Sequence, residues 1–167
     1  MSVQYKAAVI TLSDKGSIGE RVDTSGPWIK NYLEENGYRV VESLLLPDEQ
    51  NRLEKELTRL CDEFICDLIL TTGGTGLSDR DITPEATKNV IEREVPGIAE
   101  AIRAYSMTIT KRAMLSRGTS GIRKKTLIIN LPGSKKAVSE SLEYILETLE
   151  HGLGILKGTD GECGGNP

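Results

Sequence analysis

Four short stretches of this 167-residue chain carry the residue types that handle phosphate: Ser13-Asp14-Lys15-Gly16, Pro47-Asp48-Glu49, Thr72-Gly73-Gly74-Thr75-Gly76 running on to Asp81, and Asn130-Leu131-Pro132-Gly133-Ser134. Three of them contain glycine, which adopts positive φ readily and lets backbone amides approach an anion closely. Ser134, followed by Lys135 and Lys136, opens a helix whose N-terminal amides and neighbouring positive charge suit the same kind of ligand. Asp14, Asp48, Asp79 and Asp81 would repel one another on a shared rim unless a cation or a substrate group offset them. Any one of these acids reads equally well as a solvated surface group, and Gly73–Gly76 alone reads equally well as a tight strand-to-loop turn. Taken together they favour Mg²⁺ beside a phosphorylated nucleotide. No Gly-x-x-x-x-Gly-Lys-Ser/Thr segment occurs, and no Gly-x-Gly-x-x-Gly opens a helix, so the ordinary P-loop and Rossmann fingerprints are excluded.

Each stretch follows an apolar run that reads as a buried strand: Tyr5–Leu12, Val40–Leu46, Leu68–Thr72 and Thr126–Leu131. Between the runs lie helical patterns. Pro27 stands at a first helical position and Gly37 at a left-handed stop, so a helix is predicted over Pro27–Asn36. Leu53, Leu57, Leu60 and Phe64 repeat at helical spacing, which puts Asp48 near a helix start. Thr83-Pro84-Glu85 reads as a cap, a first-turn proline and an acid for the helix dipole. Pro96 restarts a helix with a stripe of Ile98, Ala101, Ile102, Tyr105 and Ile109, and the last helix presents Leu142, Ile145, Leu146, Leu149 and Leu153. Strands alternating with helices predict right-handed βαβ crossovers: a single-domain, three-layer α/β/α fold with a mostly parallel central sheet. In such sheets ligands bind beyond the carboxyl ends of the strands, where all four stretches fall. The domain is placed at residues 4–158, with a flexible Gly-rich tail over 159–167.

Composition narrows the classes. The chain is 38% hydrophobic and 28% charged, as expected of one globular domain, and its net charge of -4 offers no field for nucleic acid. No apolar stretch is long enough to span a bilayer and the N-terminus lacks a signal-peptide pattern, so no membrane partner and a cytoplasmic location are expected. Cys61, Cys66 and Cys163 have one His to accompany them and no Cys-x-x-Cys spacing, so two are expected as reduced thiols on a helix face and one in the tail. His151 is expected in the last turn of the final helix, in a structural role. Trp28 is given to core or subunit contact, and Lys124 and Lys125 to a solvated loop, while Arg117 and Arg123 are open between phosphate recognition and the same loop.

Thr71-Thr72-Gly73-Gly74-Thr75-Gly76, Arg80-Asp81-Ile82-Thr83-Pro84-Glu85-Ala86, Met114-Leu115-Ser116-Arg117 and Ile129-Asn130-Leu131-Pro132-Gly133-Ser134 occur in order and at fitting separations. As a set, and together with Ser13-Asp14 and Pro47-Asp48-Glu49, they resemble the MogA/MoaB family of molybdenum-cofactor biosynthesis proteins. The likeness runs from Val9 to about Gly158. It implies a molybdopterin-binding-like fold and adenylylation of molybdopterin, in which MgATP and the pterin's terminal phosphate give adenylyl-molybdopterin and pyrophosphate. By the same resemblance Asp48 and Asp81 are the catalytic pair, with Asp48, Asp81 and Asp79 as Mg²⁺ ligands. Gly73, Gly74, Thr75, Gly76, Pro132, Gly133 and Ser134 would hold nucleotide and phosphate, and Ser13, Asp14, Ser116 and Arg117 the substrate. It further implies a homotrimer, or a hexamer of two trimers, with a separate metal-insertion enzyme as pathway partner. Two alternatives stand beside it: a non-catalytic member that binds molybdopterin or nucleotide, and an enzyme that transfers the nucleotidyl group to another phosphorylated acceptor.

Overall fold

The computed structural model describes residues 4–159, so Cys163 and all of the predicted 159–167 tail but Thr159 lie outside the described residues. In chain order the elements are β1 (Lys6–Leu12), α1 (Asp14–Ser17), α2 (Ser25–Glu35), β2 (Arg39–Leu46), α3 (Gln50–Asp62), β3 (Leu68–Thr72), α4 (Thr83–Val90), β4 (Arg93–Glu94), α5 (Pro96–Met107), a 3-10 turn (Lys111–Leu115), β5 (Ser120–Arg123), β6 (Thr126–Leu131) and α6 (Lys135–Lys157). They form one six-stranded sheet in the order β2-β1-β3-β6-β5-β4. β1 pairs in parallel with β2 and β3, and β3 with β6.

Side chains alternate across a strand, and the two cores show it. Ala7 and Val9, Leu68 and Leu70, and Leu127, Ile129 and Leu131 face the layer built from α2, α5 and α6. Ala8, Ile10 and Leu12, Ile69 and Ile128 face the layer of α3 and α4. Because both faces are covered, β1, β3 and β6 are apolar nearly throughout, which is why they read as continuous runs and not as alternating ones. No helix among the described residues is long and apolar enough to cross a membrane.

The mostly parallel sheet expected from sequence is observed, while its edge strands were not anticipated and several element boundaries are corrected. The sheet has an antiparallel edge: β5 pairs with β6, and β4 with β5. These strands have four and two residues and no apolar alternation to betray them. Lys124, at φ 52°, and Lys125 make the hairpin turn between β5 and β6. α2 starts at Ser25, ahead of Pro27, because Asp23 Oδ1 accepts the backbone N–H groups of Ser25 and Gly26 at 3.1 and 3.0 Å. Thr83 is the first helical residue of α4 and caps nothing; its hydroxyl donates to Gly73 O at 2.9 Å. α5 stops at Met107, leaving Ile109 exposed off its stripe. α6 continues to Lys157 and ends on Gly158 at φ 75°, so His151 lies more than a turn before its end. Cys61 sits on α3, but Cys66 lies beyond it, buried just ahead of β3.

Candidate active site

The carboxyl ends of β1, β2, β3 and β6 open onto one cleft of about 530 Å³. Strands β1 and β2 contribute its acidic wall. Asp14 N donates to Asp48 Oδ2 at 3.0 Å and Asp48 N donates to Asp14 Oδ1 at 2.9 Å, so each acid holds the other's backbone. Arg80 grips Asp14 through Nε and Nη2 at 2.9 and 2.8 Å. The repulsion anticipated among the aspartates is therefore partly met by a cation of the chain itself. That Arg80 fork, with the Asp48 backbone amide, holds the Asp14 carboxyl below the usual carboxylate range. Burial pushes Asp48 the other way; the charges of Asp14 and Asp81 add to the rise, and the Asp14 amide and Arg80 oppose it.

Glycine is required where β3 ends. Gly73 has φ 93°, and a Cβ there would lie 2.5 Å from Leu12 O; Gly74 has φ 67°, and a Cβ there would lie 2.3 Å from Thr83 Oγ1 and 3.1 Å from Asp48 Oδ1. The chain can thus pass close to the end of β1 and beside Asp48 only without a side chain. Thr83 anchors the turn, donating N–H to Gly74 O and hydroxyl to Gly73 O. Below it, buried Asn130 on β6 donates to Thr71 Oγ1 and Thr87 Oγ1, both at 2.9 Å, and accepts Thr119 N–H at 3.1 Å. This satisfied amide ties β3, α4 and the chain entering β5 to one point beneath the loop.

The third wall is Gly133 and Ser134, where β6 turns into α6. Ser134 caps that helix by accepting Ala137 N–H at 3.2 Å, and a Cβ on Gly133 would meet Gly73 Cα at 3.4 Å, so the two glycine turns touch. Thr72 Oγ1 donates to Pro132 O at 2.6 Å, and Ser25 Oγ to Gly133 O at 2.9 Å.

Of the predicted site residues, Ser13, Asp14, Asp48, Gly73, Gly74, Asp81, Gly133 and Ser134 line this one cleft. Thr75, Gly76 and Pro132 lie beside them in the chain but are not part of the lining. Asp79 is exposed on the outer loop, away from the cleft wall. Ser116 and Arg117 are also outside it; Arg117 lines a different hollow, with Lys88 and Arg103. Arg123 forks onto Asp62 at 2.8 Å through both nitrogens. Trp28 stacks on Tyr32 with centroids 4.8 Å apart. The segment Arg21–Ser25 also lines the cleft and was given no role from sequence. Asp23-Thr24-Ser25 ahead of a proline is a helix-start signal that could have marked it.

For a divalent cation the donor set is small. No group of three or more His, Cys, Asp or Glu side chains among the described residues could hold a metal ion, so the set Asp48, Asp79 and Asp81 is not assembled. Among the described residues Asp48 Oδ1 and Asp81 Oδ1 are free of hydrogen bonds, the second oxygens being held by Asp14 N and Ser78 N. Two carboxylates beside phosphate oxygens suit Mg²⁺, which usually takes one or two carboxylates and completes its shell with water and substrate.

The chain resembles known proteins over most of its length. The family described as "Probable molybdopterin binding domain" matches residues 8–151. The chain is 42% identical to the molybdopterin adenylyltransferase of Helicobacter pylori (strain J99) over 152 residues, which is 90% of this chain and 86% of that protein. It is 41% identical to the molybdopterin adenylyltransferase of Escherichia coli (strain K12) over 142 residues, 84% of this chain and 73% of that one. Among solved structures, the molybdopterin biosynthesis enzyme MoaB of Thermus thermophilus superposes with a TM-score of 0.87 at 46% identity, covering 93% of this chain and 98% of that one.

Proposed function

The chain belongs to the molybdopterin-binding domain family, and from its cleft we propose that it is a molybdopterin adenylyltransferase, using MgATP to adenylylate the terminal phosphate of molybdopterin. One observation carries the reading: Asp48 and Asp81, from separate stretches of the chain, line the same cleft as the Gly73–Gly74 turn and the N-terminus of α6. The acceptor is a phosphate monoester, already ionised at neutral pH, so its attack on the α-phosphorus needs no strong base. The new P–O bond forms as the bond from the α-phosphorus to the bridging oxygen breaks, and pyrophosphate leaves with the electron pair. Positioning and charge neutralisation supply most of the acceleration in such transfers.

The residues divide that work. Gly73 and Gly74 bring main chain close to the phosphates, and Gly133, Ser134 and the first amides of α6 receive anionic oxygens. Asp48 and Asp81 would hold Mg²⁺, whose contribution when bound is to neutralise charge on the phosphate oxygens. Lys15 and Arg21 line the cleft and add positive charge for a polyanion. The same reading has the protein working in the cytoplasm as a homotrimer and delivering its product to a separate metal-insertion enzyme. Exposed Met107, Ile109, Met114 and Leu115, at the end of α5 and along the 3-10 turn, offer apolar surface for assembly.

Pyrophosphate release from MgATP, measured with and without molybdopterin, tests the proposal. Release that depends on molybdopterin is the expected result. Release with a different phosphorylated acceptor, or none with any, overturns it.

A further inference from the structure

Arg117 stands outside the cleft, yet it binds the loop that carries Asp81 at both ends. Its Nε donates to Gly76 O at 2.7 Å and its Nη2 to Asp81 O at 2.6 Å, while Nη1 pairs with Glu85 in the first turn of α4. Its backbone N–H also donates to Thr75 O at 2.9 Å. A planar guanidinium spreads its donors over three nitrogens in a rigid fork and so reaches three separated acceptors at once, whereas an ammonium offers its three donors from a single nitrogen. Behind it, Arg103 of α5 donates to Gly118 O at 2.7 Å, so the segment bearing Arg117 is itself braced.

Between these anchors the loop reaches the rest of the chain through Arg80, whose Nε and Nη2 fork onto Asp14 at 2.9 and 2.8 Å. Leu77, Ser78, Asp79 and Arg80 are exposed, and the hydrogen bonds within the loop are Asp81 N to Ser78 O at 2.9 Å, Ser78 N to Asp81 Oδ2 at 3.0 Å and Arg80 N to Ser78 Oγ at 3.2 Å. A Cβ on Gly76 would lie 2.8 Å from Asp81 Oδ2, so the Gly76 peptide is the wall against which that carboxylate rests. We propose that Arg117 is a positioning residue which, without touching the ligand, fixes the backbone on both sides of the 76–81 loop and so sets where Asp81 stands in the cleft. The clamp itself needs no assumption about the reaction; its effect on turnover rests on the adenylyltransferase reading.

Arg117→Met and Arg117→Lys test it in two ways. In the ligand-free full-length protein, hydrogen exchange at the Ser78 and Asp81 amides should speed up about tenfold or more in Arg117→Met, and less in Arg117→Lys, with the amides of β3 and β6 unchanged. Unaltered exchange at both loop amides, or equal acceleration throughout the sheet, overturns the proposal. In molybdopterin-dependent pyrophosphate release, Arg117→Met combined with Asp81→Asn should fall within about twofold of Asp81→Asn alone, because the two act through one carboxylate. Losses that multiply overturn it, since Arg117 would then act independently of Asp81. If the wild-type protein releases no pyrophosphate, the adenylyltransferase reading fails while the exchange measurement still decides the clamp.

Discussion

Asp14 and Asp48, 34 residues apart in the chain, each accept the other's backbone N–H through a side-chain oxygen, at 3.0 and 2.9 Å. This exchange welds the loops after β1 and β2 and leaves two unequal acids side by side. Asp14 is gripped by Arg80 and held low, whereas Asp48 is partly buried and pushed up. The cleft thus keeps one carboxylate whose charge is poorly offset by its surroundings, as suits the proposed site for a metal-phosphate group.

Asp48→Asn should separate stability from turnover. A carboxyl whose folded pKa lies above its unfolded value contributes stability that is present below the ordinary carboxylate range and lost as pH rises through the folded value. At pH 7 the ionised Asp48 is therefore a cost that the amide removes, and the amide oxygen can still accept Asp14 N–H. The variant should melt at or above the wild-type temperature by calorimetry, while molybdopterin-dependent pyrophosphate release drops on the order of 10²-fold. A lower melting temperature with turnover intact would contradict the assignment.

Two glycines with similar φ should respond differently to alanine. Gly37, at φ 88°, has nothing within 4 Å of an added Cβ, so Gly37→Ala should cost about 1 kcal/mol, from backbone strain alone. At Gly73 the added Cβ meets the carbonyl oxygen of Leu12 at 2.5 Å, and Gly73→Ala should cost about 3 kcal/mol or more and displace the turn. Urea unfolding of the two variants measures the contrast, and equal losses would show that the approach to β1 is not tight.

Acid titration should report on the Arg123–Asp62 fork. Arg123 holds the Asp62 carboxyl down to about 2 by hydrogen bonding, aided by its charge and that of Lys124. For a depressed carboxylate the stabilisation is present above the ordinary value and lost as pH falls through the folded one. In Arg123→Gln the Asp62 carboxyl carbon, followed by NMR, should titrate nearer the ordinary value of about 3.9. An unmoved midpoint would mean that Lys124 suffices.

Cys61 and Cys66 should be inert while the protein is folded. Burial pushes the Cys61 thiol up to about 11 and the Cys66 thiol higher still, and only the thiolate reacts. At pH 8, iodoacetamide should leave both unmodified in the native protein and label both in urea, as read by peptide mass spectrometry. Rapid native labelling of Cys66 would show that the chain between α3 and β3 opens readily.

Much of this molecule was written in local chemistry. The strands β1, β3 and β6 are apolar on both faces because helices cover both, and that makes them conspicuous. The glycine turns announce themselves because only glycine accepts φ near 90° against a carbonyl, and the four phosphate-type loops follow strand ends in the chain itself. The edge strands β4 and β5 were not legible, since two and four residues carry no period and their pairing is decided by what lies beside them. The start of α2 was missed because its cap, Asp23, works through a side-chain oxygen reaching forward, ahead of the more obvious Pro27.

What sequence determined by itself was which segments would end at one rim, because parallel crossovers deliver every strand's carboxyl end to the same side. Which side chains meet there was decided only by tertiary structure. Asp79 and Asp81 are two positions apart, yet Asp81 lines the cleft and Asp79 lies on the exposed loop. Arg117 carries the charge expected of a phosphate ligand, yet it stands outside the cleft and gives three of its donors to Gly76, Asp81 and Glu85. Charge and spacing state what a residue can do, but a hydrogen bond needs its partner within about 3 Å and in line. Only the packed chain sets those distances.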